Sequence, residues 1–167
     1  RQNADGDYGF GVMVLDQSQM EIVDSLVEAN IRVGIWGSEP GTEVTATGTV
    51  IRDSSPDDVD HVATGINITN GCVVNLSGCL VDGNSDLNLY AQNSETSFNV
   101  EGTLIRNQNT ETGTDVGAGL MVNDAAVADV SHSLFTGNAT AALWAVMSGS
   151  SITLTESAVL NTRAGAN

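Results

Sequence analysis

The chain has 167 residues, 41% of them hydrophobic but only 4% aromatic, which is enough apolar material for one domain with a core of Val, Ile and Leu and too much for a disordered chain. Its 21 acidic residues against 5 bases, all Arg, give a formal net charge of −16, which repels nucleic-acid phosphates and anionic membranes and excludes both as expected partners. No apolar run is long enough to span a bilayer, and abundant Gly with much Thr, Ser, Asn and Val favours short strands between frequent turns.

The opening "RQNADGDYGFGV" has no initiator Met and no secretory signal. It passes directly into patterned sequence, so residues 1–167 are expected to be a single domain cut from a longer protein. From there six phrases follow in order, starting at Gly11, Gly34, Gly65, Asp86, Gly119 and Ala142, at steps of 23, 31, 21, 33 and 23 residues. The first and fifth are near copies: "SLVEANIRVGIW" from Ser25 and "SLFTGNATAALW" from Ser133.

Each phrase carries three short apolar beats. The first alternates (Val12/Val14, Ile66/Ile68, Leu87/Leu89, Leu120/Val122) and so does the second (Met20/Ile22, Val44/Ala46, Val74/Leu76, Phe98/Val100, Ile152/Leu154). Alternation marks strands with one buried face. The third beat is a small residue and two aliphatics: Ser25-Leu26-Val27, Thr49-Val50-Ile51, Cys79-Leu80-Val81, Thr103-Leu104-Ile105, Ser133-Leu134-Phe135 and Ala158-Val159-Leu160. Three strands in about 22 residues are too few for a helix–turn–helix repeat or a propeller blade. They fit one winding of an all-β parallel solenoid, whose windings bury their inward side chains only by stacking.

With those phrases on the page, the stretch from Gly11 to Asn161 resembles the right-handed parallel β-helix superfamily, the pectate-lyase-like fold. The carriers "SLVEANIRVGI" and "SLFTGNATAAL" are most similar to the β-helix repeats of large bacterial surface or secreted proteins. The resemblance implies a single-stranded right-handed parallel β-helix of about six coils, and the right hand comes from the resemblance alone.

Stacking turns repeated positions into columns. Val14, Ile68, Leu89 and Val122 are expected in one interior file. Asn30, Asn84 and Asn138, with Ser54 and Gln108 at the intervening places, form an expected structural amide ladder. Glu28, Arg52, Asp82 and Arg106 alternate in sign and are expected to pair from coil to coil. Leu26, Val50, Leu80, Leu104, Leu134 and Val159 would make an outward greasy row, and a strand bend that buries them is the preferred resolution. The outward column of the first beat reads Met13, Trp36, Asn67, Asn88, Met121 and Trp144, with Tyr90 two places further along. Trp36, Tyr90 and Trp144 are the candidate ligand-contacting residues, because exposed aromatic rings stack on sugars.

Two insertions follow the third beat on alternate coils, Asp53 to Thr64 and Asn107 to Ala118. Their Asp57, Asp58, Asp60 and Asp115 are hard oxygen ligands and a candidate Ca²⁺ site; otherwise no cofactor is expected. Catalytic residues are not assigned. No Lys is present to act as a lyase base, no Asp occupies neighbouring outward first-beat places, and His61 and His132 fall on opposite parts of the coil. Cys72 and Cys79 bridge a coil corner or stay unpaired; spacing leaves both open.

The expected function is a non-enzymatic extracellular or cell-surface scaffold, adhesin or surface-binding segment, with an extracellular polysaccharide or another protein surface as partner. The alternative is a polysaccharide lyase or glycoside hydrolase module. Both ends lack a capping helix, so end-to-end continuation or self-association, or association through a sheet face, is also expected.

Overall fold

The computed structural model describes residues 9–56, 63–108 and 117–164. Within them the chain makes six windings of three strands each. The first holds β1 (Phe10–Val14), β2 (Gln19–Val23) and β3 (Leu26–Glu28); the second β4 (Val33–Ser38), β5 (Glu43–Thr47) and β6 (Val50–Arg52). The third holds β7 (Thr64–Thr69), β8 (Val73–Ser77) and β9 (Leu80–Asp82); the fourth β10 (Leu87–Gln92), β11 (Ser97–Glu101) and β12 (Leu104–Arg106). The fifth holds β13 (Ala118–Asn123), β14 (Val127–Ser131) and β15 (Leu134–Thr136); the sixth β16 (Ala141–Val146), β17 (Ser151–Thr155) and β18 (Ala158–Leu160). Each strand pairs in parallel with its counterpart one winding away, giving three six-stranded sheets.

The two-residue corner between the second and third sheets turns on one left-handed residue per coil. Gly48, Gly78 and Gly102 take φ of 58°, 60° and 56° there, and Asp24, His132 and Glu156 take 45°, 49° and 47°. Glycine adopts this backbone without steric cost. The residue after it is small and hydroxylated in most coils, and its neighbour's backbone binds it. Thr103 Oγ1 accepts from the Cys79 N–H (3.2 Å), Ser133 Oγ from Thr103 (3.1 Å), and Ser157 Oγ from Ser133 (3.0 Å). The last coil's small residue is therefore Ser157, not Ala158. Leu134 pairs with Ala158 and Phe135 with Val159, because the column needs an oxygen acceptor and Ala158 has none.

Register also corrects the fourth coil. Val14, Ile68 and Val122 share a file with Gly37, Ala91 and Ala145, whereas Leu89 lies in the neighbouring file with Val12, Ile35, Ile66, Leu120 and Leu143. Both files belong to the interior, so the solenoid stands while the phase of one strand moves by two residues. The cause is Asn88. It stands at the corner place held by Gly34, Gly65 and Gly119 in other coils, where a Cβ would come within 2.6 Å of the Asn84 amide at Gly65 and 2.9 Å of the Asn138 amide at Gly119. Asn88 fills that place with an amide of its own and is fully buried.

The result is a buried polar chain across three coils. Asn84 Nδ2 donates to Asn88 Oδ1 (2.9 Å), and Asn88 Nδ2 donates to Asn138 Oδ1 (3.1 Å). Asn84 Oδ1 accepts from the Ser54 N–H and Asn138 Oδ1 from the Gln108 N–H. Gln108 Oε1 accepts from the Ala139 N–H. Asn30, in the first coil, is only half-buried. The bonded Asn84, Asn88 and Asn138 amides fix the path of the corner, since each lost partner would leave a desolvated polar group, whereas among the described residues Asn30 Nδ2, Ser54 Oγ and Gln108 Nε2 are buried without a partner.

The third sheet departs from expectation in two ways. Leu26 is 53% exposed, and Val50, Leu80, Leu104 and Leu134 are half-buried on the outside; the sixth place in this row belongs to Ala158 and not to Val159, which pairs with the inward Phe135. No bend hides them: the strands stay regular, and each aliphatic is screened mainly by its column neighbours. The charged column forms two separate pairs instead of a continuous ladder, Arg52–Glu28 at 2.7 Å and Arg106–Asp82 at 2.8 Å. Hydrogen bonding to Glu28, then its charge, lifts the Arg52 guanidinium above its ordinary value.

Candidate functional site

On the outer face of the first sheet, backbone register aligns Met13, Trp36, Asn67, Tyr90, Met121 and Trp144 in one column. Tyr90 therefore stands in the column and Asn88 does not, a direct consequence of the two-residue shift in β10. The aromatic residues now fall on every second coil. All three are half-buried, so each keeps part of its ring at the surface. Phe10 stacks on Trp36 with ring centroids 5.1 Å apart and planes 17° from parallel, so the protein already occupies one face of that indole.

Beside this column runs a second, made of Ser38, Thr69, Gln92 and Asn123. The Tyr90 hydroxyl donates to Gln92 Oε1 (3.1 Å) and accepts from Asn123 Nδ2 (3.4 Å), which pins the phenol ring. Asn93 donates to Thr69 Oγ1 (3.0 Å), and Asn70 donates to Ser38 Oγ (3.3 Å). Asn123 is 9% exposed, and its Oδ1 is buried without a partner among the described residues. The adjoining corner opens into a shallow groove of about 740 Å³ lined by Glu39, Asn70, Asn93, Glu95 and Asp124 among others.

The outer face of the second sheet is different in kind. It forms a groove of about 450 Å³ floored by the column Thr45, Asn75, Asn99, Asp129 and Thr153, with Ser77, Glu101 and Ser131 alongside. Its amides point one way: Asn99 Nδ2 donates to Asn75 Oδ1 (2.8 Å), and Asn75 Nδ2 donates to Glu43 Oε1 (2.7 Å). Asp129 is next in line after Asn99. Hydroxyls, amides and two acids line the groove, and among the described residues no aromatic ring does.

The family model for the right-handed β-helix region matches residues 3–159. The chain belongs to the right-handed β-helix family. No curated protein and no solved structure matches it significantly.

Within this β-helix the structure separates the other candidates. Asp57, Asp58, Asp60 and Asp115, with His61, lie outside the described residues. Among the described residues no three His, Cys, Asp or Glu side chains gather closely enough to hold a metal ion. His132 is a corner residue on the surface, 2.6 Å from Glu156. Cys72 and Cys79 are both free and buried. The whole of β8 separates them, roughly 16 Å of extended strand, well beyond disulfide reach. Each replaces a hydroxyl residue: Cys79 follows Thr49 and Thr103, and Cys72 stands in register with Thr96. Burial, and secondarily the Glu43 carboxylate, pushes the Cys72 thiol up to about 11. Burial also raises Cys79.

One property of the site was missed in the sequence. With the fourth coil in its true register, Trp36, Tyr90 and Trp144 are spaced by 54 residues, as are Asn30, Asn84 and Asn138, and Met13, Asn67 and Met121. The family's coil is thus paired here into a two-coil unit repeated along the stack, with a long loop following the second and the fourth windings.

Proposed function

We propose that this chain is a non-enzymatic extracellular β-helical segment, a stalk, adhesin or surface-layer piece, that contacts an extracellular polysaccharide through the outer face of its first sheet. The observation that carries this reading is the regular aromatic column Trp36, Tyr90 and Trp144 flanked by the hydroxyl and amide column Ser38, Thr69, Gln92 and Asn123. A sugar ring presents apolar C–H faces and a rim of hydroxyls. Aromatic rings take the first and amides the second. Rings held in place by the scaffold lose little freedom on binding.

The test is binding to a glycan panel with and without Ca²⁺. Retention that weakens on Trp144→Ala supports the assignment; retention indifferent to Trp144→Ala and Tyr90→Ala moves the site off this face. Abolition by chelation would transfer attention to the Asp57–Asp60 loop.

A second reading rests on the groove of the second sheet, where Glu101 and Asp129 stand on adjacent strands. Paired carboxylates beside a polysaccharide groove are the equipment of glycoside hydrolysis. Release of reducing ends that disappears in Glu101→Gln would favour it over the scaffold reading.

A further inference from the structure

Resting on the glycan reading above, we infer that the ligand is an uncharged β-1,4-linked polysaccharide lying along the solenoid axis and gripped once every two sugar rings by Trp36, Tyr90 and Trp144. Three features of the first sheet's outer face carry this.

The first is period. The three aromatics recur at a spacing of 54 residues in one register column, and adjacent ones are two coils apart, about 10 Å from the strand spacing. The coils between present Asn67 and Met121 at the same register. A β-1,4-linked chain of equatorially joined rings is straight, and its rings alternate in orientation. The same ring face therefore recurs at every second sugar, which matches a row with a ring at every second coil. Chains with β-1,3 or α-1,4 linkages wind into helices and leave a straight row after one or two contacts.

The second is charge. The outward residues of the described first-sheet strands, from Phe10, Met13 and Trp36 to Trp144 and Val146, include no acid and no base. The rest of the molecule is strongly acidic, with a net charge of −16. Uronates and sulfated glycans would meet repulsion with no Arg to offset it, whereas neutral rings meet none.

The third is an unmet acceptor. Asn123 Oδ1 is buried with no partner among the described residues, on the side chain whose Nδ2 donates to the Tyr90 hydroxyl. A turn of the Asn123 side chain would bring this oxygen to a ring hydroxyl set against Tyr90 and supply the missing donor. Among the described residues the other buried polar atoms without partners, Asn30 Nδ2, Ser54 Oγ and Gln108 Nε2, lie in the amide corner, and Asn123 Oδ1 is the one on this face.

Three linked contacts reinforce one another, because each ring bound raises the effective concentration of the next. They are not equal. Phe10 already covers one face of Trp36, so Tyr90 and Trp144 should dominate.

The experiment measures retention of the unmodified chain on insoluble β-1,4-glucan, β-1,4-linked N-acetylglucosamine polymer, β-1,3-glucan, α-1,4-glucan and a polyuronate. The expected result is retention on the two β-1,4 polymers alone. Tyr90→Ala and Trp144→Ala should each weaken it roughly three- to tenfold, with Trp36→Ala the mildest. A phase-shifted variant, Tyr90→Asn with Met121→Tyr, keeps three rings but spaces them unevenly, and should bind as poorly as Tyr90→Ala. Thermal melting of each variant separates lost contact from lost fold, and the polymer panel needs no variant. Equal retention on β-1,3- or α-1,4-glucan, or full binding by the phase-shifted variant, overturns the two-ring assignment and leaves the glycan reading standing. Retention on no polymer overturns both.

Discussion

In the third coil Ile68, Val74, Leu76 and Val81 are between 0% and 2% exposed. Their register partners in the sixth, Ala145, Ile152, Leu154 and Val159, are half-buried or open, with Leu154 at 38% and Val159 at 41%. The residues are similar in kind and the strands are paired alike. What differs is that a third-coil residue has described windings above and below it, and a sixth-coil residue has one on a single side. Burial in this molecule belongs to the stack and not to the strand, as nearest-neighbour energetics of solenoids require.

The largest effect that would sharpen this comparison is a deletion in the middle of the stack. Phe98→Ala, fully buried in the fourth coil, should cost about 3–5 kcal/mol of unfolding free energy, whereas Leu154→Ala in the sixth should cost about 1 kcal/mol or less. Chemical denaturation reads both. Equal losses would mean that the sixth coil is packed as tightly as the fourth.

The polar corner should show the same gradient on a smaller scale. Asn138→Ala leaves the Asn88 donor and the Gln108 N–H without their shared acceptor, a loss of about 2–3 kcal/mol. Asn30→Ala, in the first coil, should cost about 1 kcal/mol or less, because its buried Nδ2 has no partner among the described residues to lose.

Alkaline titration offers a third contrast. The folded Cys72 thiol titrates near 11, above its ordinary value. The folded state thus holds its proton longer than the unfolded chain does. Its contribution is fully present below the unfolded pKa and is lost as pH rises through that value toward 11. Stability measured from pH 8 upward should fall, and Cys72→Thr should flatten the fall. A slope unchanged by Cys72→Thr would refute the assignment.

The smallest effect concerns the ion pairs. Asp82, the less exposed acid, receives both Arg106 and Asn107, whereas Glu28, in the first coil, is paired with Arg52 and is more exposed. Asp82→Asn should cost up to about 1 kcal/mol and Glu28→Gln a few tenths, both shrinking at high salt.

Much of this was legible in the sequence. The second beat was placed correctly in five coils, because Met20/Ile22, Val44/Ala46, Val74/Leu76, Phe98/Val100 and Ile152/Leu154 each offer one unambiguous alternating pair. The fourth coil's first strand was not. Alternation has a period of two, so Leu87/Leu89 and Leu89/Ala91 fit it equally well. The phase marker that other coils carry, a corner Gly, is replaced by Asn88. That single substitution hid the place of Tyr90 and the 54-residue unit, turning steps of 23 and 31 into 21 and 33. The last third-beat was displaced for a related reason: Ser157 and Ala158 are both small, and only the hydrogen bond to Ser133 distinguishes them. The outward aliphatic row was foreseen, but its solution was not. Neighbour-to-neighbour screening along a column is a property of the assembled sheet, which no single strand displays.

The pairing of coils also governs how such a protein can change its length. Duplicating one 54-residue stretch in tandem would add two windings, one loop and one ring, and every newcomer would meet the partner its copies already have. Duplicating one winding alone would set like beside like at the amide corner and place two rings, or none, at consecutive levels. A gene of this kind grows without penalty only in double strides, and each stride lengthens the reading surface by the same fixed measure.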